Sequence, residues 1–256
     1  MPLKVNIKRL IGLILSVVLV ITAIWVANTI HSKQKCKKVN VVIEGEGNHR
    51  LLKPYEISSV VVGAPSESPE GKPFNRINFK KIEQKVLKNP LVKSCQVHRD
   101  LSGDMTISVQ EHTPIARVIN AKTSNHLQND NYVAEDGTFI GVSPHYTARV
   151  LLLSGGYLDN KTSLQDSKSK SIIDLVKFIR ADDFWRAQIA QIIIEKDGGI
   201  TLLPEIGSHL IEFGLAIDLE VKFKKIKILY QEILPVKGWE TYKKISVKYR
   251  NQIVCE

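Results

Sequence analysis

The stretch NPLVKSCQVHRDLSGDMTISVQEHTPIARV, Asn89 to Val118, holds two alternating runs around a polar break. Cys95 and Val97 alternate with Ser94, Gln96 and His98; Met105, Ile107 and Val109 alternate with Thr106, Ser108 and Gln110. A period of two is what half-buried β-strands write. Between the runs, Leu101-Ser102-Gly103-Asp104 supplies turn residues, so the segment predicts a β-hairpin. Pro90 stops a helix before the hairpin. Pro114 ends it, because proline cannot donate to a sheet ladder, and Ala116 begins another strand.

Upstream, INFKKIEQKVLKNP carries Phe79, Ile82 and Val86 on one helical face, with Asn78 as the N-cap and Ile77 with Ile82 as a hydrophobic staple. KPYEISSVVVG, Lys53 to Gly63, predicts a shorter helix that opens at Pro54 and closes at Gly63. Before it, VNVVIEG is a β-rich run. The expected order from Val39 to Glu111 is therefore β-α-α-β-β.

Downstream the chain reads as predominantly β. Asp136-Gly137 is a two-residue hairpin signal, and RVLLLSGG is an apolar strand. Ile172, Ile173, Val176 and Ile179 mark a helix. AQIIIEKDGGITLLPE predicts a hairpin about Asp197-Gly198-Gly199, followed by the strand HLIEFG. Leu219, Phe223, Ile226 and Tyr230 then mark an amphipathic helix that stops near Pro235. The end of the chain, Lys244 to Cys255, alternates again and predicts one long terminal strand.

The β-α-α-β-β order resembles a POTRA domain. Pro90, Val92, Ile107, Val109, Glu111, Pro114 and Ala116 are similar to the motif of the bacterial FtsQ family (DivIB in Gram-positive bacteria), a helix-ending P-x-V followed by I-x-V-x-E-x-x-P-x-A. Tyr242, Ile245, Lys248 and Tyr249 resemble that family's terminal Y-x-x-I-x-x-R-Y, with lysine in place of the arginine before Tyr249. The loops at 64–73, 120–131 and 155–170 do not align with the family. The resemblance implies an α+β protein: a single N-terminal transmembrane helix, a POTRA domain, and a mixed α/β domain on a largely antiparallel sheet. Expected boundaries are a cytoplasmic tail at 1–9, the transmembrane helix at 10–30, a basic juxtamembrane segment at 31–38, the POTRA domain at 39–113 and the β domain at 114–256.

The N-terminus fits that order. Leu10 to Ile30 is 21 residues without a charge, and 13 of them are Leu, Ile or Val. That length crosses a ~30 Å hydrocarbon core, and those side chains favour insertion by about 4–8 kcal/mol. A signal peptide is the alternative, although its apolar stretch is usually only about 7–15 residues. Either reading exports the remainder of the chain. The formal charge of +10 invites a nucleic-acid partner, but seven bases lie in the first forty positions without an acid. The other 216 residues hold 29 bases and 26 acids. Basicity brackets the apolar segment, and no nucleic-acid partner is expected.

Chemistry-bearing constellations are missing from the sequence. The seven histidines never fall at metal-ligand spacing, and neither a P-loop nor a G-x-S-x-G elbow occurs. Asp182-Asp183 reads as a solvated helix end. Cys36, Cys95 and Cys255 are odd in number and far apart, with buried thiols expected at the latter two; pairing of two of the three in an oxidising compartment is the alternative. The expectation is a non-enzymatic protein with no cofactor, metal or small-molecule substrate. Two alternatives stay open: a POTRA module of an outer-membrane assembly or secretion system, and an exported enzyme with a dispersed site.

A terminal strand at a sheet edge presents unpaired backbone groups that a partner strand can extend. By resemblance, this strand and the preceding helix receive FtsB, a small single-pass division protein that pairs with FtsL. Tyr249 and Lys248 are carried over by position; Arg250, Asn251, Gln252 and Ile253 follow from strand geometry. The function implied is a divisome scaffold at the septum. It is anchored in the inner membrane with its C-terminal domains outside, and helps to regulate septal peptidoglycan synthesis.

Overall fold

The computed structural model describes residues 7–32, 34–44, 51–63, 68–119 and 130–256. Most of the expected cytoplasmic tail and the cores of the loops at 64–73 and 120–131 lie outside them. The chain divides into two compact units, residues 1–47 with 52–111, and residues 112–256 with 48–51.

Helix α1 (Ile7–Ser32) is 26 residues long, or about 39 Å. Its described side chains are those of residues 12–26, all exposed and with no charge. Among the described residues, no helix is long and apolar enough to cross a membrane.

In the first unit, β1 (Val39–Glu44), α2 (Pro54–Val62), α3 (Phe79–Val86), β2 (Val92–Arg99) and β3 (Met105–Glu111) follow in the expected order. The sheet runs β1-β3-β2, with β1 parallel and β2 antiparallel to β3. Met105, Ile107 and Val109 are fully buried, as the alternation requires of a central strand. Asn78 caps α3 by accepting from Lys81 N at 3.0 Å. Residues 35–38, expected as juxtamembrane, are built into this unit: Cys36 N donates to Lys72 C=O, and Lys37 Nζ to Ser102 C=O at 2.7 Å.

Glu111, the acid of the family motif, takes a structural role. Its carboxylate accepts from the backbone N–H of buried Leu52 at 2.7 Å. Glu111→Ala leaves that donor unpaired, at an expected cost of about 1–3 kcal/mol, with less for Glu111→Gln. Urea unfolding checks this; an unchanged midpoint in both variants contradicts it.

The second unit is built on nine strands: β4 (Pro114–Val118), β5 (Asn131–Ala134), β6 (Phe139–Gly141), β7 (Leu151–Ser154), β8 (Ile189–Ile194), β9 (Ile200–Pro204), β10 (Leu210–Gly214), β11 (Lys244–Ser246) and β12 (Val254–Cys255). Their order is β12-β11-β10-β9-β8-β7-β4-β5-β6. Five pairings are antiparallel; β4–β7, β7–β8 and β10–β11 are parallel. Parallel neighbours need a long crossover. Helices α4 (Lys170–Ala181) and α5 (Asp183–Gln188) carry the chain from β7 to β8. Helix α6 (Leu219–Ile228), a π-turn at Leu229–Ile233 and α7 (Leu234–Lys237) carry it from β10 to β11.

The core under these helices is aromatic. Phe223 is 1% exposed and packs with Phe178, Trp185 and Phe213, at centroid distances of 4.8, 4.8 and 5.3 Å. Asp182 is not a merely solvated helix end: its carboxylate accepts from Phe184 N at 2.8 Å and caps α5. The last helix passes Pro235 and ends at Lys237. The π-turn immediately before the proline replaces the regular hydrogen-bond ladder that a proline interrupts. All three cysteines are free. Burial pushes the Cys95 thiol up to about 11, which keeps it protonated and inert at neutral pH.

Candidate functional site: the C-terminal sheet edge

The expected single terminal strand is two short ones. β11 pairs parallel with β10, the chain turns through Tyr249, Arg250 and Asn251, and β12 returns antiparallel on β11. Ile245 and Val247 point into the core, fully buried, but the alternation breaks there and Tyr249 emerges 45% exposed. Asn251, the polar residue that interrupts the apolar face, lies in the turn that breaks it, a position asparagine favours.

β12 is the end of the sheet. Lys244 and Glu256 exchange both backbone bonds, at 3.0 and 2.9 Å. In an antiparallel ladder the adjacent residue then directs its N–H and C=O the other way, so Cys255 faces the open side. Ile253, two residues earlier, has the same backbone sense. The open edge is therefore carried by Ile253 and Cys255, whose side chains pack against the core.

Four contacts hold the hairpin. Glu212 on β10 accepts from Lys248 Nζ at 2.9 Å and lies 3.6 Å from Lys244 Nζ. The hydrogen bond from Lys248 is the main reason its carboxyl is held below the usual range. Lys225 on α6 donates to the Tyr249 carbonyl. Lys248 also sits 5.1 Å from the centre of the Tyr249 ring. Of the sequence-predicted residues, Lys248 is thus engaged within the chain, while Arg250, Asn251 and Gln252 are exposed on the turn and Ile253 is half-buried.

The structure adds residues that the alternation does not single out. Val221 and Ile228 are 52% and 40% exposed and flank Lys225 on one face of α6, beside the Tyr249 turn. Leu215 and Ile217, similarly exposed, lie in the loop after β10. Buried Lys222 shapes that loop by donating to the carbonyls of Phe213 at 3.0 Å and Leu215 at 2.7 Å. A lysine in the run VKFKK reads as solvent-facing; its burial shows only once β10 is packed beneath α6.

A second cluster supports the edge from below. His209, just before β10, is buried with Nε2 2.9 Å from the Tyr230 hydroxyl, and Trp239 packs edge-on against Tyr230 at 5.5 Å. His209 Nδ1 is buried with no partner. Burial pushes the His209 pKa below its ordinary 6.5. The folded state therefore refuses a proton that the unfolded chain accepts, and stability is lost as pH falls below about 6.5, by at most ~1.4 kcal/mol per pH unit for one group. Between pH 6.5 and 5, unfolding free energy should fall more steeply in the wild type than in His209→Gln. Equal slopes contradict the assignment.

This mixed sheet, with a short terminal hairpin on its edge, spans the region matched by the family model FtsQ/DivIB, C-terminal related, residues 113–256. The chain belongs to the FtsQ/DivIB family. A POTRA-like domain model matches residues 34–110, the region of the β1-β3-β2 sheet. No curated protein matches the chain. Among the described residues of this FtsQ/DivIB-related chain, no group of three or more His, Cys, Asp or Glu side chains could hold a metal ion.

Proposed function

We propose that the chain is a non-enzymatic scaffold of the bacterial cell-division machinery, acting at the septum. The apolar segment bracketed by basic residues supports a single-pass anchor at Leu10 to Ile30 in the inner membrane, with the N-terminus cytoplasmic and both units outside. The edge formed by β11 and β12 receives the FtsB–FtsL pair, and through it the protein helps to regulate septal peptidoglycan synthesis. The observation that carries this reading is the open edge at Ile253 and Cys255 beside the exposed Tyr249, in an FtsQ/DivIB-related domain.

Magnitudes decide how such an edge binds. Two outward-facing residues allow about two to four ladder bonds, worth roughly 0.5–1.5 kcal/mol each. A micromolar complex needs about 8 kcal/mol. The remainder has to come from burying apolar side chains at roughly 1.5–3 kcal/mol each, and Tyr249, Val221 and Ile228 are placed to supply it. The partner therefore covers the α6 face as well as adding a strand.

Affinity capture of tagged full-length protein from mild-detergent membranes, with mass spectrometry, tests the scaffold reading. Recovery of two small single-pass coiled-coil proteins is the expected result. Recovery of outer-membrane barrel or secretion components instead would favour the transport alternative.

A further inference from the structure

Away from the C-terminal edge, the second unit contains a cavity of about 450 Å³ at the start of β7 and β8 and the end of α4. Three arginines from three elements line it: Arg149 just before β7, Arg180 at the end of α4, and Arg186 on α5. Val150 and Leu152 contribute apolar wall, and both are half-buried, so each keeps surface open to the cavity. Glu205 is the only acid among the lining residues.

The arginines differ in how far the protein already satisfies them. Arg180 is held by its own fold, donating to the Pro114 carbonyl at 3.3 Å. Arg186 pairs with Asp183 at 2.7 Å, but both side chains are largely exposed, so that pair is readily exchanged. Arg149 and Glu205 form no side-chain hydrogen bond or ion pair among the described residues. A guanidinium presents five donors in a planar fork suited to carboxylate, and three such groups around an apolar-walled cavity leave an excess of positive charge.

We infer that this cavity binds an acidic peptide segment of a partner protein, taking a carboxylate side chain against Arg149 and Arg180 and an aliphatic neighbour against Val150 and Leu152. The apolar wall favours such a segment over a bare inorganic anion, which has nothing to place there. The site does not depend on the strand edge: β7 and β8 are separated from β11 by β9 and β10. Tyr249 variants should leave it unaffected.

The test is titration of full-length protein in mild detergent with an acetylated Glu-Leu-Glu-Leu-Glu amide, its Gln-Leu-Gln-Leu-Gln counterpart and inorganic phosphate, followed calorimetrically. The acidic peptide should bind, with the glutamine peptide at least about tenfold weaker. Arg149→Glu should weaken the acidic peptide at least about tenfold, the loss expected from one charge-assisted hydrogen bond. Arg149→Lys should retain part of the binding, and both variants should keep the wild-type melting temperature, because Arg149 is exposed and makes no internal contact of this kind. No peptide binding at millimolar concentration, equal binding of both peptides, or full affinity in Arg149→Glu overturns the inference. Phosphate binding without peptide binding overturns the peptide assignment.

Discussion

Tyr249→Glu should weaken capture of an FtsB–FtsL-like partner by roughly a hundredfold or more, about 2.7 kcal/mol, the loss typical of an interface hot spot. The side chain is 45% exposed at the head of the turn, so truncating it removes little from the core. Its backbone carbonyl, held by Lys225, is unaffected by the substitution. The melting temperature should therefore stay within about 2 °C of wild type. A carboxylate at this position adds a charge that binding would have to desolvate. Undiminished affinity with an unchanged fold would show that the partner does not use this turn. Loss of both affinity and stability would make Tyr249 a packing residue.

The largest expected effect on stability lies at Phe223. It is 1% exposed and touches three aromatic rings, two on the helices of the β7–β8 crossover and one on β10. Phe223→Ala should cost about 3–5 kcal/mol, the transfer term plus a cavity that rigid neighbours fill poorly. Because α6 joins β10 to β11, the loss should reach the edge: capture falls along with stability, unlike the Tyr249 variant. Phe223→Leu retains most of the volume and should cost less. Denaturant unfolding monitored by tryptophan fluorescence, reporting in part on buried Trp185, gives the comparison. A shift below 1 kcal/mol for Phe223→Ala contradicts the packing described.

How far the sequence reveals these features depends on the range of the interaction that sets each one. The hairpin from Cys95 to Val109 and the Asp136-Gly137 turn are local, so alternation and turn chemistry place them. Gly137 adopts φ 84°, the left-handed conformation that favours glycine, but Asp136 does not share it, and the turn closes through Gly137 N to Ala134 C=O as a longer loop than the two-residue turn expected. Asn78 likewise caps α3 from within its own turn. By contrast, the alternation misleads at the terminal strand, because Tyr249 continues the apolar pattern by type while the backbone has already left β11. What bends it is a set of long-range contacts, Glu212 with Lys248 and Lys225 with the Tyr249 carbonyl. Lys222 and His209 are hidden for the same reason: each is polar by type and buried by elements distant in the sequence.

The candidate site shows the same division. Tyr249 and Gln252 are legible from the family motif and from strand geometry, but Val221 and Ile228 belong to a helix face whose neighbours appear only in the fold. Cys255 reads in the sequence as a thiol, whereas its backbone is the part that faces the open edge. Site residues defined by backbone direction carry no side-chain signal to read.

The most direct test of the central claim is site-specific photo-crosslinking in dividing cells, with benzoylphenylalanine placed singly at Gln252, at Ile228 and, on the opposite end of the sheet, at Val142 just beyond β6. Crosslinks from Gln252 and Ile228 to one small single-pass membrane protein, and none to it from Val142, are the predicted result. A crosslink to that protein from Val142 alone, or silence at both Gln252 and Ile228, would contradict the assignment of the C-terminal edge as the docking surface.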